Sequence, residues 1–133
     1  MYRIRFFRGT NSGDTRRIDE PFSAAKGKTF MARKRESAAA YGRDIQEITA
    51  KPEAKILYQE SPEFWSLIGR RRPPNEALGS VPAGAIENVN RAVSRAEKAG
   101  YDAVSFTQDS DIGTVILNEK AFNGSPIGVF VDV

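Results

Sequence analysis

The spacing of apolar residues along the chain predicts short strands interspersed with short helices. Apolar and polar residues alternate in residues 2–8, where Ile4 and Phe6 share one side. Short runs bounded by turn residues are typical of strands. Further runs of this kind lie at residues 27–32, 44–50, 54–59, 101–106, 114–118 and 127–133. Residues 44–50 and 54–59 are separated by "KPE", a turn candidate. The two strands can therefore form a hairpin or occupy separate places in the sheet.

Three segments have helical signatures. Ser61 as N-cap and Pro62 at the first helical position begin one helix. Residues 85–100 place Ile86, Val89, Val93 and Ala96 on one helical face and end at Gly100. The alanine-rich stretch predicts a third, shorter helix from about Lys34 to Tyr41, with Gly42 as the residue that follows its end. Strands and helices in this mixed order predict an α+β fold.

Length and composition favour one globular domain over residues 1–133. Hydrophobic residues make up 40% of the chain and charged residues 28%, which is ordinary for a globular protein. All apolar runs are shorter than the roughly 18 residues of a membrane span, and the N-terminus interleaves arginines with apolar residues, unlike a signal peptide. These features predict a cytoplasmic protein without a membrane partner.

The absence of two residue types restricts the chemistry. The chain has no cysteine and no histidine, which excludes disulfides, thiol nucleophiles and Cys-type zinc sites and removes the commonest general base. Carboxylates, hydroxyls, amides, lysines and arginines remain, and we expect no metal. The net charge of +3 favours anionic partners such as nucleic acid, a phosphorylated cofactor or an acidic protein surface. The basic residues form two local clusters, "RKR" at 33–35 and "RRR" at 70–72.

The stretch "FFRGT" at residues 6–10 is the first candidate site. The first predicted strand closes at Arg8 and Gly9. The planar guanidinium of Arg8 suits a diphosphate because it can bridge two oxygens. Gly9, followed by Thr10, lets the backbone approach a ligand. An ordinary strand-edge arginine is the alternative.

The stretch "KTFMARKRESAAAYG" at residues 28–42 is the second candidate. We expect a strand ending in Thr29 and Phe30 to lead into the helix that carries Tyr41, so that a hydroxyl and two aromatic rings line one cleft near Arg8. Aromatic rings stack on heteroaromatic ligands. The alternative is that Phe30 and Tyr41 belong to the core.

The stretch "FTQDSDIGTVILN" at residues 106–118 is the third candidate. Gln108, Asp109 and Asp111 lie in a polar turn between two predicted strands. Carboxylates there can bond a sugar hydroxyl and stabilise positive charge at an anomeric carbon. A plain hairpin also uses such a turn.

The order of these motifs resembles the small bacterial and phage ADP-ribosyltransferase-like domains of the toxin, polyvalent-protein and phage counter-defence types. That family has a "YRG" strand, an "FFT" strand leading to an "A-x-x-Y-G" helix, and a "GYDG" strand before the catalytic acid and a "VVFN"-like strand. The counterparts here are "FRGT", "TF" with "SAAAYG", "GYDAV" and "VILN", within residues 2–122. The resemblance implies a split mixed β-sheet core with short flanking helices.

The resemblance also implies residue roles around NAD⁺. Arg8 matches the arginine that holds the cofactor through its phosphates and adjoining ribose, and Gly9 the glycine whose backbone lies against the nicotinamide amide. Thr29 matches a residue that supports the NAD⁺ pocket, and Tyr41 the aromatic beside the nicotinamide end. The residues implied for cofactor binding are Arg8, Gly9, Thr10, Thr29, Phe30 and Tyr41.

The family's catalytic acid, usually a glutamate, has no glutamate counterpart in this turn. Counting forward from "GYDAV" favours Gln108 or Asp109, and counting back from "TVILN" favours Asp111. Asp109 ranks first because it is a carboxylate at the strand end. The implied activity is metal-independent mono-ADP-ribosylation of a macromolecular target, expected to be a protein, by a phage or toxin effector. An inactive fold that blocks a partner protein and a small basic nucleic-acid-binding protein are the alternatives.

Overall fold

The computed structural model describes residues 4–10, 24, 28–40, 42–71, 83–107 and 113–124 of the chain. Within these residues a mixed set of short strands and helices forms, which confirms the α+β class. In chain order the elements are β1 (Arg5–Thr10), β2 (Thr29–Met31), α1 (Arg35–Ala39), β3 (Asp44–Ala50), β4 (Ile56–Tyr58), α2 (Pro62–Ile68), α3 (Ala83–Lys98), β5 (Ala103–Ser105), β6 (Thr114–Ile116), a 3₁₀ turn (Glu119–Ala121) and β7 (Phe122–Asn123).

The strands form two sheets. Sheet A has the order β1-β3-β7 and is antiparallel throughout. Sheet B has the order β2-β6-β5-β4, in which only the β4–β5 pair is parallel. One antiparallel bridge joins the sheets: the Phe7 N–H donates to the Ala32 carbonyl at 2.8 Å, and the Ala32 N–H donates back at 2.6 Å.

Sheet B is covered on both faces because successive strand residues point to opposite sides. Its inner face, which we define as the face toward sheet A, carries Ala103 and Ile116, and these pack with Phe6 and Ile48 of sheet A. The opposite face packs against α2 and α3. The buried residues on that helix side are Leu57, Phe64, Trp65, Ile68, Val89, Ala92, Val93, Ala96, Val104, Phe106 and Val115. Sheet B therefore lies between sheet A and helices α2 and α3, and α1 packs against β1 and β3 of sheet A.

The confirmed elements follow from local sequence. Helix α2 begins after Ser61 with Pro62 in its first turn, and it ends at Gly69, whose φ of 70° is the left-handed conformation that glycine tolerates best. Helix α3 buries the predicted apolar stripe, including Val89 and Val93, against sheet B. No helix in the described part of the chain is both long and apolar enough to cross a membrane.

Three predicted boundaries were wrong. Strand β1 does not close at Arg8 and Gly9 but runs to Thr10, because all of its last residues pair with β3. Strand β2 begins at Thr29 instead of ending there. Helix α1 ends at Ala39, before the predicted end at Tyr41, which itself lies outside the described residues.

The arrangement of the middle strands resolves an open alternative. Strands β3 and β4 do not form a hairpin, since β3 pairs in sheet A and β4 in sheet B. Strand β7, which pairs with the end of β3 at Thr49 and Ala50, was not predicted. The predicted strand at 127–133 lies outside the described residues.

Candidate functional site

The connection between β5 and β6 is the place where the sequence puts its candidate acids. The two strands are antiparallel neighbours, with Ser105 opposite Thr114. Next to that pair, the Phe106 N–H donates to the Gly113 carbonyl at 2.9 Å. Gln108, Asp109 and Asp111 belong to this loop but lie outside the described residues. The pairing of Ser105 with Thr114 and the hydrogen bond from Phe106 to Gly113 hold the two ends of the loop, which we call its stems, side by side.

A polar cluster lies at the loop stems. Ser105 and Thr114 are fully buried, and their hydroxyl oxygens are 2.7 Å apart. The Arg33 side chain donates from Nε to Ser105 Oγ at 2.7 Å and from one terminal nitrogen to the Ser105 carbonyl at 3.0 Å. Both terminal nitrogens also bind the Glu60 carboxylate, each at 2.7 Å. We call Arg33, Glu60, Ser105 and Thr114 the Arg33 cluster.

Strand alternation places this cluster at one end of the inner face. Ser105 follows Ala103 by two residues and Thr114 precedes Ile116 by two, so both hydroxyls share the side of sheet B that faces sheet A. Arg33 follows Met31 by two residues, and its guanidinium lies 5.4 Å from the centre of the Tyr58 ring, a cation–π distance.

The stem that leaves β5 is also held by the chain after β4. Gln59 is fully buried, and its side-chain carbonyl accepts the Thr107 N–H at 3.0 Å. The Gln59 backbone N–H donates to the Ser105 carbonyl at 2.9 Å, and its own carbonyl accepts the Trp65 indole N–H at 2.8 Å. Buried and bonded on both sides, Gln59 fixes the chain on the outgoing side of the loop.

The returning stem depends on Gly113. Its φ of 76° lies in the left-handed region, and an added Cβ would lie 2.5 Å from the Met31 carbonyl oxygen. A glycine is therefore needed both for the backbone conformation and for the close approach of the loop to β2.

Arg8 lies on the strand of sheet A that crosses to sheet B. It follows the buried Phe6 by two residues on β1 and therefore shares the face that packs toward sheet B, where it is half-buried.

Gly9 has a packing role. A Cβ there would lie 2.7 Å from the Ala38 carbonyl carbon, closer still to its oxygen, and 2.9 Å from the Gly42 oxygen. Backbone of α1 and backbone of β1 therefore meet where a side chain does not fit. Thr10, the last residue of β1, pairs with Asp44.

Thr29 and Phe30 do not line one cleft. They are neighbours on β2 and point to opposite faces: Thr29 is 2% exposed on the inner side, whereas Phe30 packs against the helix-side core. Thr29 pairs with Ile116, at the end of β2 away from the Arg33 cluster. A pocket of about 320 Å³ opens at that end, with Thr29 and Asn118 in its lining.

The aspartate of the "GYDAV" motif has a structural role. The Asp102 carboxylate accepts the Lys55 backbone N–H at 2.8 Å and the Asn118 side-chain amide at 3.0 Å. Its backbone carbonyl accepts the Leu117 and Asn118 N–H groups. Asp102 thus fastens the start of β5 to its two neighbouring strands, at the end of sheet B opposite the loop.

Sequence reasoning missed Arg33 because the "RKR" cluster was treated as a unit, and it had no signal for Glu60, which contacts Arg33 from 27 positions away. Lys34 and Arg35 are exposed, whereas the Arg33 side chain is only 19% exposed. The available signal was the alternation through Thr29 and Met31, which places Arg33 in phase with the inner face. Among the described residues, no group of three or more carboxylates could hold a metal ion, and the expectation of a metal-free site stays a prediction.

Comparisons with known proteins give one structural similarity. No family model and no curated protein sequence matches the chain. A crystal structure of an anti-CRISPR protein superimposes with a TM-score of 0.50 over 87% of this chain and 90% of that chain, at 19% sequence identity. At 19% sequence identity this similarity shows a related fold alone.

Proposed function

We propose that this protein is a mono-ADP-ribosyltransferase that transfers ADP-ribose from NAD⁺ to a protein target. The observation that carries the proposal is the placement of two motifs on facing sheets. Arg8 lies on the face of β1 that packs toward sheet B, and the stems of the loop with Asp109 lie on the inner face of sheet B. We interpret the two sheets as the split core of the transferase fold, with NAD⁺ bound at the rim of their apolar interface.

The proposed roles follow from the charges in the reaction. Arg8 holds the diphosphate, and Asp109 bonds the ribose and faces the positive charge that develops at its anomeric carbon. When the bond from that carbon to nicotinamide breaks, the bonding electrons neutralise the nicotinamide ring, so the leaving group needs no proton. The acceptor's lone pair then forms the new bond, and the acceptor's proton passes to solvent. This chemistry is compatible with a chain that has no histidine or cysteine.

The proposed setting is phage counter-defence in the host cytosol. It is supported by the fold similarity to an anti-CRISPR protein and by the motif order of phage and toxin transferases. We therefore propose a protein of a CRISPR defence complex as the target. The net charge of +3 favours an acidic surface on that target.

Label transfer tests the activity directly. The protein is incubated with NAD⁺ labelled in its adenylate moiety and a lysate that contains a CRISPR complex, and labelled proteins are identified by intact mass. We expect one ADP-ribose adduct with the wild-type protein and none with Arg8→Ala or Asp109→Ala. Transfer that survives both substitutions would contradict the site assignment, and the absence of any wild-type transfer would contradict the activity.

A binding module that blocks its partner without chemistry is the second candidate. The specific observation in its favour is the loop sequence "TQDSDIG", which contains no glutamate. This candidate predicts that Arg8→Ala inhibits the partner as strongly as the wild-type protein does and that added NAD⁺ makes no difference. Inhibition that requires NAD⁺ would exclude it.

A further inference from the structure

We infer that the surface formed by the end of α2 and the neighbouring flank of α3 binds the phosphate backbone of a nucleic-acid duplex. Five cationic side chains form this surface, which we call the helix-side patch: Arg70, Arg71, Arg91, Arg95 and Lys98. The patch lies on the helix side of sheet B, whereas Arg8 lies on sheet A. The inference is independent of the proposed transfer reaction.

Hydrogen bonds between α3 and α2 hold two of these cations at the end of α2. Arg95 donates from one terminal nitrogen to the Leu67 carbonyl at 2.8 Å, and Arg91 donates to the Ile68 carbonyl at 3.3 Å. The last carbonyls of a helix have no acceptor role within it and carry partial negative charge, which favours such donors. Lys98, three residues after Arg95, continues the row along the surface of α3.

The turn after α2 brings two more arginines to the same place. Gly69 adopts the left-handed conformation with a φ of 70°, and the Arg70 N–H donates back to the Trp65 carbonyl at 3.1 Å. A Cβ on Gly69 would lie 3.6 Å from Arg95 Nη1, so the Arg95 guanidinium lies against the residue that precedes Arg70. The chain therefore leaves α2 beside Arg95 and presents Arg70 and Arg71, both exposed, at this point.

The patch contains the excess positive charge of the whole chain. Glu87 pairs with Arg91 at 3.2 Å, while Glu97 binds Lys28 on the flank of α3 away from α2. Five cations and one carboxylate give the patch a formal charge of +4, whereas the whole chain has +3. The residues outside the patch therefore carry no net positive charge.

This concentration of charge is not needed to hold the fold together. Within the described part of the chain, the side chains of Arg70 and Arg71 have no hydrogen-bond or ion-pair partner. Like charges held close together repel one another and destabilise the fold. An anionic partner removes that repulsion, because it neutralises the cations when it binds.

The composition of the patch fits a phosphate backbone better than a protein surface. Interfaces between proteins have a centre depleted of charged residues, whereas nucleic-acid interfaces are polar and strongly positive. The planar donor fork of arginine also matches phosphate. Single strands are commonly held by bases that stack on aromatic rings, and the aromatic residues of α2, Phe64 and Trp65, are buried. The patch therefore fits the backbone of a duplex.

Fluorescence anisotropy tests the inference with the full chain in the absence of NAD⁺. The probe is a labelled DNA duplex of mixed sequence, about 20 base pairs long, and we expect a Kd between about 1 and 100 μM at physiological salt. For about four neutralised phosphates, log K should fall with log salt concentration with a slope of about −3 to −4.

The decisive variant replaces both Arg70 and Arg71 with alanine. We expect it to weaken binding by at least about 10-fold and to reduce the magnitude of the salt slope by about 2, with an unchanged melting temperature because both side chains are exposed. Lys98→Ala is a second variant, and it should reduce the slope by about 1.

A matched control removes the same charge elsewhere. Lys34 and Arg35 are adjacent, exposed cations at the start of α1, which packs on sheet A. Their double alanine variant should weaken duplex binding by less than about twofold, because charges farther away than a Debye length of about 10 Å are largely screened.

Equal weakening in the two double variants would overturn the inference, since only net charge would then matter. No saturable binding by the wild-type protein, or unchanged binding by the variant without Arg70 and Arg71, would also overturn it. Tighter binding to the single strand or to a polyglutamate peptide would overturn the assignment to a duplex, and in the second case would identify a site for an acidic protein.

Discussion

The two ends of sheet B use a charged side chain for different purposes. At the Asp102 end, the carboxylate accepts hydrogen bonds from the Lys55 backbone N–H and the Asn118 side-chain amide. It thereby holds the start of β5 to the residue before β4 and to the chain after β6. At the Arg33 end, the guanidinium binds a carboxylate and the Ser105 hydroxyl and carbonyl beside the loop. Asp102 and the candidate Asp109 are seven positions apart in sequence, yet one stabilises strands and the other is assigned to chemistry.

The largest expected effect separates the two aspartates by activity. Asp109→Ala should lower kcat for transfer by at least about 100-fold, because the carboxylate that we propose as the partner of the developing positive charge is lost, and it should leave the melting temperature nearly unchanged. Asp111→Ala and Gln108→Ala, measured in parallel, rank the three candidates. If Asp111→Ala has the largest effect, the acid assignment moves to that residue.

Gly9→Ala tests whether Gly9, like Asp102, is needed for the stability of the fold. The new Cβ would overlap the Ala38 carbonyl of α1, and we expect a loss of about 3 kcal/mol in the free energy of unfolding. Urea unfolding measures it. Wild-type stability combined with weakened NAD⁺ binding would instead give Gly9 the role that the family resemblance implies.

Asp102→Ala should affect stability alone. Two hydrogen bonds to a carboxylate are lost, which we expect to cost about 2 kcal/mol in the free energy of unfolding, measured by the same urea titration. The kcat of the folded fraction should equal that of the wild-type protein. A large decrease in kcat at full folding would remove the distinction between the two ends.

Glu97→Gln should have the smallest effect. It breaks an ion pair whose carboxylate is half-exposed, and such pairs contribute about 0.5 kcal/mol. Thermal unfolding should shift by no more than a few degrees. A shift as large as that of Asp102→Ala would show that the ion pairs flanking β2 are general supports of the fold.

Local sequence was sufficient for most elements of this fold. Alternation predicted strand β1 with Ile4 and Phe6 on one side, and Phe6 is buried. Helical spacing predicted the apolar stripe of α3 that includes Val89 and Val93. Ser61 and Pro62 located the start of α2. These features depend on residues a few positions apart, which a sequence shows directly.

Pairing between distant segments could not be predicted in this way. The separation of β3 and β4 into different sheets depends on partners far away in sequence, since β4 pairs with β5 after two intervening helices. The same holds for the site: Arg33 lies 72 positions from Ser105, and a run of basic residues does not indicate which member turns inward.

Calorimetric titration of NAD⁺ tests the central claim that this protein binds the dinucleotide through Arg8. We predict saturable binding to the wild-type protein at millimolar or lower NAD⁺ concentration, similar binding to Glu97→Gln, and none to Arg8→Ala. No binding to the wild-type protein in that range, or equal binding to Arg8→Ala, would contradict the account.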